Sequence, residues 1–369
     1  MKKFFFFAAI AAIGLASCSN DETIASQATN ESNAISFRPI VNGTTRANDQ
    51  TQTALQQSGK GFYVTAKHNA TASQEGGSDY FDNAHYTYYA SSYTCSDKYY
   101  WPGSGYLNFY AYAPAVKANE IDRTAYNTFT ITPNVTAAQQ EDFIYAVAYD
   151  QTKAQNGAGV TLNFHHAQSK VSINAKNTST MAFTIGDVHL YQVNTTGTFT
   201  YTNAATNISA GKLVACWSSL SGSGSYSHSP GTTSFAAGTT STSPIATDMI
   251  LIPQTITPVA GYSSASAGAA LATTGSFIQI QIKATQGGQY VVGDANTFVN
   301  AIWPLPAGTW LPGYHYTYTV DLGGGGYYAT SQDNTDTTLD PIIAGSEIIF
   351  TTVTVDDWTD AAGINIPNP

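Results

Sequence analysis

The stretch AISFRPIVNGTTRA (residues 34–47) decides how the rest of the chain is interpreted. It predicts a short β-strand from Ile35 to Val41, because Ile35 and Phe37 alternate with polar residues in the period of two that a half-buried strand shows. Pro39 cannot donate a hydrogen bond to a neighbouring strand, which places this strand at the edge of a sheet or where strand pairing ends. A polar turn and an isolated arginine, Arg46, follow it. An edge strand attached through such a connection is one that a sheet could lose.

The composition narrows the class of protein. Only 10% of the 369 residues are charged, against about 25% in an average globular protein, so uncharged polar residues must supply most of the surface. The formal net charge is −10, and the lysines and arginines form no basic cluster beyond Lys2-Lys3. Nucleic-acid binding, which depends on neutralising phosphates, is therefore not expected. The 24 tyrosines favour strands over helices.

The first residues indicate a targeting segment rather than part of the fold. Lys2-Lys3 precede an apolar run, Phe4 to Leu15, that is too short to span a bilayer in the usual way. The run ends in Leu15-Ala16-Ser17-Cys18, whose spacing resembles a bacterial lipobox, in which the cysteine is lipidated and becomes the mature N-terminus. We therefore expect residues 1–17 to be a lipoprotein signal peptide and Cys18 to carry the lipid.

Short apolar-polar alternations recur along most of the chain, as in SFIQIQIKA at 276–284. Thr136–Asp142 predicts a helical turn, and Gly186-Asp187 predicts a turn between two strands. The Gly/Ser/Thr-rich residues 218–243 predict a long loop or an insertion. Many short strands with turn signals and almost no helix predict an all-β sandwich fold.

The length predicts two tandem sandwich domains. We place their boundary near Gln168, between the strand-like segments VTLNFHH and KVSINAK. The expected organisation is a tether with a removable first strand at 18–46, an N-terminal β-sandwich at 47–167 and a C-terminal β-sandwich at 168–369.

The residues that carry chemistry do not suggest an enzyme. The chain has no G-x-S-x-G, P-loop or HExxH motif. His165-His166 would point to opposite faces of a strand, so they favour a structural role over a shared metal. Cys95 and Cys216 do not imply a disulfide framework, and whether they pair stays open. We expect no catalytic residue, metal or cofactor.

Several segments, in order, resemble one family. They are the lipobox at 15–18, the strand and arginine at 35–46, YYWPGSGYLNFYAYAP at 99–114, EDFIYAVA at 141–148, VTLNFHHAQSKVSINAKN at 160–177, LIPQTI at 251–256, LPGYHYTYTVDL at 311–322 and IIFTTVTVDDW at 348–358. Together they resemble the Bacteroidales fimbrillin, or Mfa-like pilin, superfamily of type V pilus lipoproteins over nearly the whole chain.

The resemblance implies two tandem transthyretin-like β-sandwich domains with Greek-key-type connections. It also implies that an arginine-specific, trypsin-like protease cuts between Arg46 and Ala47. Arg38 is less suited to cleavage because Pro39 follows it. The cut releases the first strand, whose apolar residues are Ile35, Phe37, Ile40 and Val41. A donor strand from another subunit then fills the opened groove by β-strand addition.

The resemblance further implies a place and partners for the chain. It would begin as an outer-membrane lipoprotein held by the lipid on Cys18, and end as a structural subunit of a cell-surface fimbria that supports adhesion. The expected partners are other fimbrial subunits, in a homo- or hetero-polymer, and the protease. A host glycan or protein would be the adhesion ligand, and the sequence does not identify it.

The donor strand is left open by the sequence. Family donors commonly come from the C-terminal end, so one candidate is the strand at 347–355, with Ile348, Phe350, Val353 and Val355. A second is the tail at 359–369, with Ile364 and Ile366, which is short for a donor. Alternatively the subunit caps the filament and donates no strand. Stalk, tip and anchor roles all stay open, as does glycosylation of Thr337.

An alternative function is a surface-exposed glycan-binding lipoprotein that does not polymerise. Aromatic rings can stack on sugars, and exposed tyrosines with a tryptophan could form a platform for them. The candidates are Tyr88, Tyr89, Tyr93, Tyr99, Tyr100 and Trp101.

Overall fold

The computed structural model describes residues 33–41, 49–73, 75–201, 216–258 and 275–323, and the backbone of 327–328, 340–341 and 350–357. Nearly all regular structure in these residues is β-strand, packed as stacked sheets, so the predicted all-β sandwich class is confirmed. The predicted helical turn is a short 3₁₀ helix, Ala137–Gln139. A helix that the sequence analysis missed, α1 (Gln52–Leu55), begins where the Thr51 side chain accepts a hydrogen bond from Ala54 N.

Twenty-five strands cover the described chain. The first nine are β1 (Phe37–Val41), β2 (Phe62–Asn69), β3 (Ser78–Tyr89), β4 (Ser92–Thr94), β5 (Tyr106–Ala113), β6 (Ile121–Ala125), β7 (Thr128–Ile131), β8 (Ile144–Gln151) and β9 (Val160–His166). The next eight are β10 (Ser169–Asn177), β11 (Ala182–Val193), β12 (Thr196–Thr200), β13 (Trp217–Ser221), β14 (Gly224–His228), β15 (Thr233–Phe235), β16 (Thr239–Leu251) and β17 (Thr255–Ile256). The last eight are β18 (Phe277–Gln286), β19 (Gln289–Val292), β20 (Val299–Pro304), β21 (Gly308–Thr309), β22 (Tyr314–Asp321), β23 (Tyr327–Tyr328), β24 (Asp340–Pro341) and β25 (Phe350–Asp357).

The first half of the chain is built on a seven-stranded sheet in the order β1-β9-β8-β5-β2-β3-β4. The central strand β5 is buried on both faces, because Phe109 belongs to one core and Tyr110 and Tyr112 to another. The first core also holds residues of the edge strand β1 and of α1. The sheet must therefore curl, since its edge strand packs over the middle strands.

A four-stranded sheet, β13-β12-β7-β6, covers the other face. It joins strands from both sides of the boundary predicted near residue 168: β12 pairs with β7, with Phe199 opposite Phe129. A division of the chain at that single point would cut through this sheet.

The second half of the chain forms a sandwich of two sheets. Strands β16-β10-β22-β25 make one sheet, and β14-β11-β18-β20-β23-β24, with β15 and β19 alongside, make the other. The core between them contains Ile173, Ile280 and Trp303. Strand β10 pairs in parallel with β22, and β25, the last strand described, lies at the edge of its sheet.

Two local predictions are wrong. Gly186-Asp187 does not reverse the chain: β11 continues through it with a register shift between Ile185 and Val188, where the Asp187 amide donates to the Gln281 side chain. The stretch 218–243 is not a loop but contains β14, β15 and parts of β13 and β16. Serine and threonine suit these strands because most of their residues are at least partly exposed, while Tyr226 and Phe235 are buried.

Candidate functional site

The candidate site is the place of β1 at the edge of the seven-stranded sheet. Strand β1 pairs with β9 in parallel, from Phe37 opposite Val160 to Val41 opposite Phe164. The Val160 amide donates to the Ser36 carbonyl at 2.8 Å, and the Arg38 guanidinium donates to Thr161 Oγ1 at 3.0 Å. The edge position agrees with the presence of Pro39, which has no amide hydrogen to donate.

The side chains of β1 divide between core and solvent. Ile35 and Phe37 are 5% and 4% exposed, and Pro39 is buried. Ile40 points the other way and is 41% exposed, and Val41 is half-buried. Of the predicted strand residues, Ile35 and Phe37 therefore contribute the main apolar contacts.

Phe37 lies at the centre of an aromatic cluster. Its ring meets Tyr86 at 4.8 Å, Phe109 at 5.1 Å and Phe62 at 6.2 Å between centroids, each time edge to face. Edge-to-face pairs are favourable because the ring edge is positive and the ring face negative. The three partners come from β2, β3 and β5, so removing Phe37 would open the core across three neighbouring strands of the sheet.

Each end of the β1 segment has its own attachment. Upstream, the Ile35 amide donates to the Tyr99 carbonyl at 2.8 Å, and the Trp101 amide donates to the Asn33 carbonyl at 2.9 Å. Downstream, the Val41 amide donates to Gln52 Oε1 on α1 at 3.1 Å. Sequence reasoning missed both attachments. For Gln52, the threonine before Gln52–Leu55 was the available signal, because threonine is a common helix N-cap.

Strand β25 contains the predicted donor residues that can be located. Its antiparallel register with β22 sets Val355 opposite Tyr316, Val353 opposite Tyr318 and Phe350 opposite Val320. All three residues of β22 belong to the second-half core. The predicted lipidation and cleavage residues Cys18, Arg46 and Ala47, the donor residues Ile348, Ile364 and Ile366, and Thr337 lie outside the described residues.

Buried charged residues lie directly after the connection from β1. The Asp49 carboxylate pairs with the Lys170 ammonium, and these side chains are 1% and 2% exposed. Asp142 Oδ2 lies 2.8 Å from His166 Nδ1 and accepts a hydrogen bond from the Gln50 amide at 2.8 Å. Desolvation raises the pKa of Asp49, against the opposing effect of Lys170. In a chain with so few charges, a lysine at the start of an apolar strand was the signal that could have predicted this pair.

The two adjacent histidines have separate surroundings. His166 lies in the buried group just described, while His165 contacts the ring of Tyr145. Burial, with a smaller effect of His166, lowers the pKa of His165 to about 4. Within the described residues, no group of three or more His, Cys, Asp and Glu is arranged to hold a metal ion. Cys95 and Cys216 are not joined in a disulfide.

The six predicted platform aromatics are split between core and surface. Trp101 is 6% exposed, Tyr99 stacks on Phe81 at 4.1 Å, and Tyr93 packs on Phe62 at 5.1 Å. Tyr89, at 74% exposed, is the most open. The residues therefore do not form one exposed stacking surface.

The described residues include no helix that is long and apolar enough to cross a membrane. A comparison with curated proteins finds no match. Among solved structures, the chain is similar to a fimbrial protein from Bacteroides vulgatus, with a TM-score of 0.56 and 13% identity, over 89% of this chain and 100% of the other. It also matches a cell adhesion protein from Bacteroides ovatus (TM-score 0.45, 16% identity, 88% and 97% covered) and a fimbrial assembly protein from Parabacteroides distasonis (TM-score 0.34, 11% identity, 84% and 99% covered).

The first of these matches, at a TM-score of 0.56, shows a shared fold. The family model named fimbrillin-like matches residues 19–358, which is most of the chain and includes β1, the connection after it and β25. The chain belongs to the fimbrillin-like family.

Proposed function

We propose that this fimbrial subunit of the cell surface assembles by strand exchange after proteolysis removes β1. The observation that carries the proposal is the position of β1. It is an edge strand that buries Ile35 and Phe37 in an aromatic core, and it continues into a connection that contains Arg46. Its departure breaks one ladder of hydrogen bonds and leaves an apolar groove beside β9, which is the kind of site that binds an added strand.

The proposed cut lies between Arg46 and Ala47. Arg38 is the matched alternative, but it lies within the paired strand, contacts Thr161 and precedes Pro39. A protease must take its substrate out of such pairing before it can cut. Each subunit in the mature polymer would therefore begin at Ala47, and the lipid on Cys18 would stay with the released N-terminal fragment.

For the donor, we propose the C-terminal end and distinguish two forms. Strand β25 offers Phe350, Val353 and Val355, but using it would cost its ladder with β22. The tail beyond it offers Ile364 and Ile366, with the apolar-polar-apolar pattern that Ile35 and Phe37 have. Synthetic peptides of 347–357 and 358–369, added separately to trimmed protein, would identify the donor by which one is retained.

Trypsin treatment of wild type, Arg46→Ala and Arg38→Ala tests the cleavage step. We expect wild type and Arg38→Ala to yield a resistant core that begins at Ala47 and forms ladders on an unboiled gel. Arg46→Ala should keep its first strand and stay monomeric while folding normally. Unchanged assembly of Arg46→Ala would contradict the proposed cut. Trimmed protein that neither assembles nor retains a peptide would contradict strand exchange itself.

Lipidation is a separate proposal with its own test. Growth with a palmitate analogue should label the wild-type precursor and leave Cys18→Ala unlabelled. After cleavage, the label should be found on the short N-terminal fragment rather than on the core. Label on the core would show that the lipid is attached elsewhere.

A further inference from the structure

The first described residues after the connection from β1 are held by buried polar contacts. The Asp49 side chain pairs with Lys170 on β10, and the Gln50 amide donates to Asp142 Oδ2 at 2.8 Å. Asp142 is fully buried. A charge that is taken out of water keeps its partner tightly, because the unpaired group would lie in a poorly solvating interior.

These partners belong to hydrogen-bonded parts of both halves of the chain. Asp142 lies beside Phe143, whose amide donates to the Gln168 side chain at 2.8 Å and whose carbonyl accepts from the Ala167 amide at 2.9 Å. Lys170 lies on β10 between β16 and β22. Residues 49 and 50 are thus attached where the chain passes from β9 into β10.

The contacts that hold β1 are different ones. Strand β1 pairs with β9, and its end is bound to the side chain of Gln52. Neither the Asp49–Lys170 pair nor the Gln50–Asp142 hydrogen bond includes a residue of β1. Residues 49 and 50 can therefore keep their buried polar contacts when β1 leaves, although the Val41–Gln52 hydrogen bond between β1 and α1 would be lost.

We propose that Asp49, Gln50, Asp142 and Lys170 form an anchor that sets the downstream limit of the segment the chain can lose. The inference rests on the proposed cleavage, which would leave Asp49 two residues from a new N-terminus. New termini fray unless they are tied down. With the anchor in place, α1 and its buried Leu55 stay packed against the opened core, so Leu55 continues to line the groove.

Lys60 provides a cleavage site that reports on the anchor. It is exposed and lies just after α1, so trypsin can cut there once the segment from residue 49 loosens. We expect full-length wild type to give a product that begins at residue 47 and stays intact at Lys60. Asp49→Asn and Lys170→Met should be cut after Lys60 about tenfold faster or more, because each removes one charge of the buried Asp49–Lys170 pair.

Asp79→Asn is the matched control. It breaks the Lys67–Asp79 pair, in which the Asp79 side chain is 83% exposed, so it should leave cutting at Lys60 as in wild type. Equal cutting of wild type and Asp49→Asn would overturn the anchor. Simultaneous new cuts at Lys67 and Lys176, which lie inside strands, would also overturn it, because the pair would then stabilise the whole fold rather than this segment.

Hydrogen exchange on the wild-type protein is a second test of the anchor, and it does not depend on whether the variants fold. The Gln50 amide should exchange slowly both before and after trimming, since its acceptor is buried. Fast exchange after trimming would show that the segment leaves with β1 and would overturn the proposal. If trypsin never cuts at Arg46, the proposed cleavage fails, while the comparison at Lys60 still tests the anchor.

Discussion

Truncating Phe37 to alanine tests the importance of β1 to the subunit before cleavage. Phe37 is 4% exposed and meets three aromatic rings edge to face. Replacing a buried phenylalanine by alanine costs about 3–5 kcal/mol of unfolding free energy. Each aromatic pair adds about 0.5–1.5 kcal/mol beyond burial, so we expect a value in that range rather than below it.

The edge position adds a second expectation. Strand β1 can open without the rest of the sheet, and a local opening limits how much of the loss reaches the whole fold. The Phe37→Ala protein should therefore exchange its β1 amides much faster than wild type, while β5 amides change little. Exchange measured by mass spectrometry, together with urea unfolding, separates the local loss from the global one.

Ile40→Ala is the matched control for this experiment. It lies on the same strand but is 41% exposed, so its cost should stay below about 1 kcal/mol. After trimming at Arg46, both variants and wild type become the same polypeptide and should assemble alike. Equal losses for Phe37→Ala and Ile40→Ala would refute the reasoning, because the buried face of β1 would then not be what holds it.

Three further predictions follow from buried groups and backbone geometry. Folding lowers the pKa of His165 from 6.5 to about 4, so the unfolded state takes up the proton first as the pH falls. The free energy of unfolding should therefore drop between pH 6.5 and about 4, by about 2.5 kcal/mol at pH 4.5. In urea unfolding at these pH values, His165→Gln should lose less stability than wild type does. Gly61 has φ +134, and a Cβ there would lie 2.0 Å from the Tyr86 carbonyl oxygen. Gly61→Ala should therefore lower the free energy of unfolding by at least about 2 kcal/mol, measured by thermal unfolding. Gly59→Ala, where a Cβ would meet open space, should lower it by about 1 kcal/mol. Trp310→Phe removes the buried hydrogen bond from Trp310 Nε1 to Tyr318 Oη, 2.8 Å long. It should cost about 1–3 kcal/mol in denaturant unfolding, and an unchanged stability would contradict this prediction.

The buried face of β1 and its edge position could be predicted from its sequence, because both depend on residues within the strand itself. The alternation of Ile35 and Phe37 gives the buried face, and Pro39 excludes a central strand. The parallel pairing with β9 could not be predicted in this way, because Val160 lies more than a hundred residues away. Strand direction depends on the chain path between the partners, which periodicity does not record.

The errors at Gly186-Asp187 and at 218–243 have a common cause. Glycine, aspartate and serine signal turns because their backbones and short side chains suit turn geometry. A register shift inside a long strand and an exposed edge strand accept the same residues. Whether such a stretch reverses the chain is decided by the partner strands, here β18 beside β11 and β11 beside β14.

The energetics of β1 explain why a donor strand would replace β1 only after the proposed cut. Two buried apolar side chains, Ile35 and Phe37, are worth about 1.5–3 kcal/mol each, and a donor with two similar side chains would regain about as much. The alternation of a strand is the same in either direction, so a donor need not copy the parallel pairing of β1. While β1 is tethered through the connection at 42–48, it competes at the high effective concentration of an intramolecular partner, about millimolar. The proposed cleavage would end this advantage without weakening the groove, and a donor on a neighbouring subunit could then replace β1 although its contacts are no better.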